Sequence, residues 1–174
     1  GHAEGYKAKF DSRIFGGNEF RIVTIANAVA AGAPPDVIRA FEFHAHYCPG
    51  VLSGILMARY VKARFPAGTS GYFVQALEPW CKEDALMVLL NATPGKRGFA
   101  ISYPTKDDKA QRSAALKDAA TIIYRRNEGT GRWEGLVLAF TWAAPPCAPT
   151  GNELIDKLCA DLWYLARMDK PEDF

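Results

Sequence analysis

Pro49 fixes a helix boundary at the place where this chain gathers its chemistry. Proline has no backbone N–H, so it fits the first turn of a helix, and its ring keeps the preceding residue out of the helical region. The segment it closes reads His44-Ala45-His46-Tyr47-Cys48-Pro49-Gly50. The only other histidine, His2, follows Gly1 in what reads as a tag-cleavage scar and is set aside. Two imidazoles and a thiol therefore stand at alternate positions immediately before a helix start.

In an extended segment alternate residues point the same way, so His44, His46 and Cys48 can converge on one point. Cys48 is predicted to cap the following helix, where free N–H groups and the positive dipole end lower a thiol's pKa. A thiolate with two imidazoles is a ligand set suited to Zn²⁺ first, with Fe or Cu also accepted. The same residues offer a catalytic reading, with Cys48 as nucleophile and His46 as its base. The plainer alternative packs one imidazole in the core and buries Cys48 as a small apolar residue.

The flanking pattern predicts an α+β domain. Helical spacing covers Asn18 to Gly32, Pro35 to Glu42, Pro49 to Phe65, Cys81 to Leu90 and Asn152 to Met168. Strands are expected at 70–77, 97–103, 119–126 and 132–142, the last two joined by the turn Asn127-Glu128-Gly129-Thr130-Gly131. That yields a mixed sheet of four to five strands flanked by helices. Residues 1–17 show no clear period and read as an arm before a single core domain of residues 18–174.

Composition excludes several classes. A formal net charge of +2, with no basic run interleaved with aromatics, argues against nucleic acid. No apolar stretch reaches the ~18 residues a membrane span needs. A chain of 174 residues can hold a core without staples, so Cys48, Cys81, Cys147 and Cys159 read as thiols. Cys147 is a further candidate ligand in its proline-rich turn, and Cys159 a core residue on the last helix.

Cys81 opens a helix after Glu78-Pro79-Trp80, the same activated setting as Cys48. Glu78 is a candidate to orient an imidazole. The turn Asn91-Ala92-Thr93-Pro94-Gly95-Lys96-Arg97 lacks the first glycine of a phosphate loop, yet Lys96 offers a cation for an anionic ligand group. Tyr47 and Trp80 are candidate apolar walls for a bound cofactor. With both usable histidines beside Cys48, no Ser-His-Asp arrangement exists.

Phe43-His44-Ala45-His46-Tyr47-Cys48-Pro49-Gly50 with Gly54 resembles the F-H-G-H-x-C-P-G-x-x-x-G signature of the FmdE-like family of formylmethanofuran dehydrogenase proteins. Glu78, Cys81, Asp84-Ala85 and Thr93-Pro94-Gly95-Lys96 resemble its second block, E-x-x-C-x-x-D-A…G-C-T-x-G-K. Ala45 replaces the family's glycine, Ala92 replaces its second-block cysteine, and the C-terminal zinc finger of some members has no counterpart. The resemblance implies an α+β core, loosely thioredoxin-like, with a metal site at His44, His46, Cys48 and Cys81. Zinc is the metal it favours, while the residues themselves leave Fe, or haem on His44 or His46, as further options.

It also implies a homodimer and a place in anaerobic one-carbon metabolism, some members standing beside molybdenum or tungsten dehydrogenase genes. The expected function is therefore a metal-binding accessory or redox protein, with an oxidoreductase complex as partner and a small molecule or cofactor as ligand. The alternatives are a haem or other metallocofactor binder, and a stand-alone zinc- or thiol-dependent enzyme. The expected location is cytoplasmic, with export left open by the engineered-looking start.

Overall fold

The computed structural model describes residues 3–174, with the backbone alone for 3, 4 and 6; the scar-like Gly1-His2 lies outside them. The chain runs through α1 (Ala3–Asp11), α2 (Glu19–Ala30), α3 (Pro35–His44), α4 (Pro49–Arg64), β1 (Tyr72–Leu77), α5 (Lys82–Leu89), β2 (Phe99–Ser102), α6 (Lys106–Ala110), β3 (Thr121–Arg126), β4 (Trp133–Leu138) and α7 (Glu153–Leu165). The sheet order is β2-β1-β3-β4, with β1 parallel to β2 and antiparallel to β3, and β3 antiparallel to β4. The one parallel pair needs a crossover, which α5 supplies. This is the α+β fold with a mixed sheet that the periodicity indicates, and it has four strands. Among the described residues, no helix is long and apolar enough to cross a membrane.

α4 is the centre of the molecule. Every residue from Gly50 to Ala58 is buried, so this part of the helix is enclosed on all sides rather than lying amphipathically on a surface, and only its last turn carries exposed residues. Val74, Ala76, Ile123 and Leu138, pointing to one face of the sheet, join Leu52, Ile55 and Leu56 of α4 and Leu86 of α5 in a single core. Because α4 is central, the residue at its N-terminus, Cys48, is buried with it.

Two departures from the sequence pattern concern the ends of the chain. Residues 3–11 are helical rather than irregular. Phe10 docks this helix on Ile155 and Leu158 of α7, so its register is set by a tertiary contact and not by a periodic face of its own. The second departure corrects the reading of all four cysteines as thiols: Cys147 and Cys159 form a disulfide, so neither is a spare ligand. Residues 139–150 have no regular secondary structure, and the bond ties that stretch to α7 where no ladder could. Cys48 and Cys81 remain free.

Candidate metal centre

Pro35 opens α3 at its first turn, and α3 ends at His44. Ala45 then adopts a left-handed conformation, φ 68°, and its N–H donates to the Glu42 carbonyl. That single residue turns the chain back, leaving the His44 and His46 rings 4.4 Å apart. Cys48 follows in an extended conformation as N-cap of α4. The three side chains thus converge through a helix end and a tight turn, not through one uninterrupted extended segment. Left-handed geometry disfavours any Cβ by about 1 kcal/mol, the physical reason for glycine at this place in the signature. Ala45→Gly is accordingly expected to leave stability unchanged or raise it by up to about 1 kcal/mol, read from the urea midpoint. A clear loss would show that the turn is not strained.

The donor atoms of His44, His46 and Cys48 lie within 4.8 Å of one another, near enough to be drawn onto one ion by small side-chain adjustments. His44 Nε2 is 4.0 Å from Cys48 Sγ, and His44 Nδ1 sits 2.7 Å from Asp84 Oδ2 on α5. A carboxylate on Nδ1 holds the proton there and leaves Nε2 free to coordinate. His46 rests against the Phe20 ring, and burial, His44 and Lys157 together push its pKa down, so it presents a neutral imidazole.

Cys81 caps α5. Its sulfur lies outside the 4.8 Å group yet beside Cys48, close enough to oppose that thiol's ionisation. The approach depends on two glycines of α4. A Cβ on Gly50 would stand 2.8 Å from Cys81 Cβ and 3.1 Å from its Sγ; one on Gly54 would stand 2.2 Å from the Lys82 carbonyl oxygen. The spacing C-P-G-x-x-x-G is therefore a packing rule that lets α5 touch α4 and deliver Cys81 and Asp84.

Electrostatics reverse the expectation for Cys48. Burial, helped by Cys81 and Asp161, pushes its pKa up to about 12, although the Val51 amide in the first turn pulls the other way. Desolvation outweighs the helix terminus, because the cap opens the buried N-terminal part of α4. Without a metal, Cys48 is a thiol at neutral pH.

The other candidates fall in different places. Tyr47 is in the core: its N–H donates to Thr24 Oγ1, its hydroxyl reaches the Asp161 carbonyl, and its ring packs on Phe41. Trp80 is exposed and meets Trp142 edge-on. Glu78 pairs with Lys109 and Arg112 rather than with an imidazole. Lys96 donates to Asn91 Oδ1 and lines, with Arg97, Tyr124 and Trp133, a cavity of about 570 Å³ that none of the four ligand-type residues enters.

Asp161 escapes sequence reasoning. It is buried, neither carboxylate oxygen has a hydrogen-bond partner among the described residues, and burial raises its pKa to about 8. A signal exists all the same: Asp161 falls three residues from Leu158 and four from Leu165, on the apolar stripe of α7. Between about pH 4 and pH 8 the folded state holds this proton and the unfolded chain does not, so stability falls as pH rises through that window. Asp161→Asn is expected to raise Tm at pH 8, with little gain at pH 4. A gain independent of pH would show that the carboxyl titrates normally.

The FmdE family profile, described as "FmdE, Molybdenum formylmethanofuran dehydrogenase operon", matches residues 43–160. The comparison with curated proteins returned no match. The matched stretch opens at Phe43, against the first ligand-type histidine, and takes in the enclosed α4, both helix-capping thiols and the sheet. It spans more than half of the chain, and the chain belongs to the FmdE family.

Proposed function

We propose that this protein is a metal-binding accessory of an oxidoreductase complex of one-carbon metabolism, with a zinc-type divalent ion held by His44, His46 and Cys48 and approached by Cys81. The observation that carries the reading is the 4.8 Å cluster of two nitrogens and a sulfur, with Asp84 fixing the tautomer of His44. A bound ion would supply Lewis acidity at an incomplete donor set, where one position stays open for a ligand. The protein's own part is to hold His46 neutral, to orient His44, and to keep water away from Cys48 through the burial of α4. The competing role for Cys48, attack as a free thiolate, is disfavoured by a pKa of about 12.

The test is elemental analysis and an absorption spectrum of anaerobically purified protein, with its co-purifying partners identified. About one divalent ion per chain without a Soret band is expected, together with components of a molybdenum or tungsten enzyme. Protein that stays metal-free after reconstitution with zinc or iron would sink the reading. A Soret band would transfer the site to haem.

The sheet favours the homodimer. Phe73, Ile122, Tyr124, Trp133 and Val137 all point to the face opposite the core, where Trp133 and Val137 are exposed. A water-facing sheet surface would normally alternate to polar residues; this one carries Gln75 and Arg126 as well, but its apolar residues outnumber them, which supports a contact. Val137→Glu is expected to convert a dimer to monomer in size-exclusion chromatography with light scattering, while a wild type already monomeric would contradict the assignment. For location, the Cys147–Cys159 disulfide favours an oxidising compartment over the reducing cytoplasm.

A further inference from the structure

A cavity of about 330 Å³ begins at the neighbours of Cys81 without including any ligand-type residue of the metal centre. Ser53, Trp80, Lys82, Arg112, Lys117 and Trp142 line it. Its volume falls within the range of small-molecule sites. Two features mark it out from the other concavities.

The first is an excess of cations over carboxylates in the lining. Lys82, Arg112 and Lys117 face Glu78 and Asp118 as the only carboxylates in the lining. Glu78 is already engaged by Lys109 at 2.7 Å and stands 3.4 Å from Arg112 Nη2, which is buried and donates to no acceptor among the described residues. A buried guanidinium donor without an acceptor is rare and costly, so the arrangement favours an incoming oxyanion. Lys82 is held by Glu83 at 2.8 Å and by the Glu78 carbonyl, which leaves Arg112 and Lys117 as the cations open to a ligand. Glu78 itself holds φ +61°, a backbone conformation that a non-glycine residue adopts under constraint.

The second feature is aromatic. Trp80 and Trp142 are 60% and 48% exposed, with ring centroids 6.1 Å apart, and Phe140 backs Trp142 at 4.8 Å. Two exposed indoles in a cavity wall offer a surface for a flat apolar body.

We propose that this cavity binds a small molecule that joins an oxyanion to a flat apolar body, the oxyanion on Arg112 and the body against Trp80 and Trp142. Lys82 and Trp80 flank Cys81 in sequence, so the ligand is held next to the metal centre. The site is built without any metal ligand, and its occupancy is separable from metal binding.

The test titrates two probes that share a flat body and differ in charge: 1-anilinonaphthalene-8-sulfonate and neutral N-phenyl-1-naphthylamine. Probe fluorescence and tryptophan quenching are followed in chelator-treated and in zinc-supplemented protein. One saturable sulfonate site per chain is expected, about tenfold tighter than the neutral probe, as a charge-assisted hydrogen bond requires. Arg112→Gln and, as a solvent-exposed second variant, Lys117→Gln should each weaken the sulfonate, Arg112→Gln by about tenfold, and leave the neutral probe unchanged. Trp142→Ala should weaken both probes. Lys96→Gln, in the separate 570 Å³ cavity, should change neither. Equal affinity for the two probes, or sulfonate binding untouched in Arg112→Gln and Lys117→Gln, would overturn the proposal. Sulfonate binding in protein that takes up no zinc would leave the proposal standing and count against the metal centre alone.

Discussion

Gly54→Ala is expected to destabilise the protein by about 3 kcal/mol or more. The added Cβ would lie 2.2 Å from the Lys82 carbonyl oxygen, 2.8 Å from Lys82 Cα and 2.9 Å from Ala85 Cβ. Two of these three atoms are backbone, so no rotamer change relieves the clash, and α5 as a whole must retreat by about 1 Å. Alanine's better helix propensity returns only about 1 kcal/mol, so the packing penalty decides the sign. Gly5→Ala in α1, where a Cβ meets nothing within 4 Å, isolates the propensity effect and should be neutral or mildly stabilising. Retreat of α5 also carries Asp84 from His44 and Cys81 from Cys48, so metal affinity should fall together with stability. Urea unfolding with m-values checks the first effect. An unchanged or higher midpoint for Gly54→Ala would show that the helices do not meet this closely.

The same two glycines show where sequence reasoning stops. Pro49 announces its helix boundary because proline's constraint is local, and Asn127 to Gly131 announces its hairpin for the same reason. The strand and helix periods place β1 to β4 and α2 to α5 within a few residues. His44, His46 and Cys48 are legible as a cluster because three donors in five residues cannot be far apart. Nothing local, by contrast, says that the partner of Gly50 is Cys81 or that the partner of Gly54 is the Lys82 carbonyl. The ionisation of Cys48 runs against its cap position, because the cap is local whereas its burial follows from neighbours on every side of α4. The Cys147–Cys159 bond links an irregular stretch to a helix, and only the folded path shows them within reach. α1 has no periodic signature because one residue, Phe10, does the docking. Asp84 is visible as part of the second block, but its task rests on a 2.7 Å contact across 40 residues of chain.

Cys48→Ala separates a ligand from a buried small residue. In chelator-treated protein it should cost about 1 kcal/mol or less, the loss of one packed sulfur from a site that can partly collapse. With free zinc at about 1,000 times its Kd, the wild type gains about 4 kcal/mol from the bound ion, and the variant should lose most of that gain. His46→Ala should follow the same pattern. Asp84→Asn keeps all the donors but releases His44 Nδ1, so a smaller loss of about 10–100-fold in zinc affinity is expected. Because burial holds the Cys48 thiol protonated, zinc uptake must also expel its proton, and apparent affinity should rise with pH across the neutral range. Calorimetry in two buffers of different ionisation enthalpy counts that proton. If Cys48→Ala loses the same stability with and without zinc, and no proton is released, the residue is core and the centre has no thiolate ligand at that position.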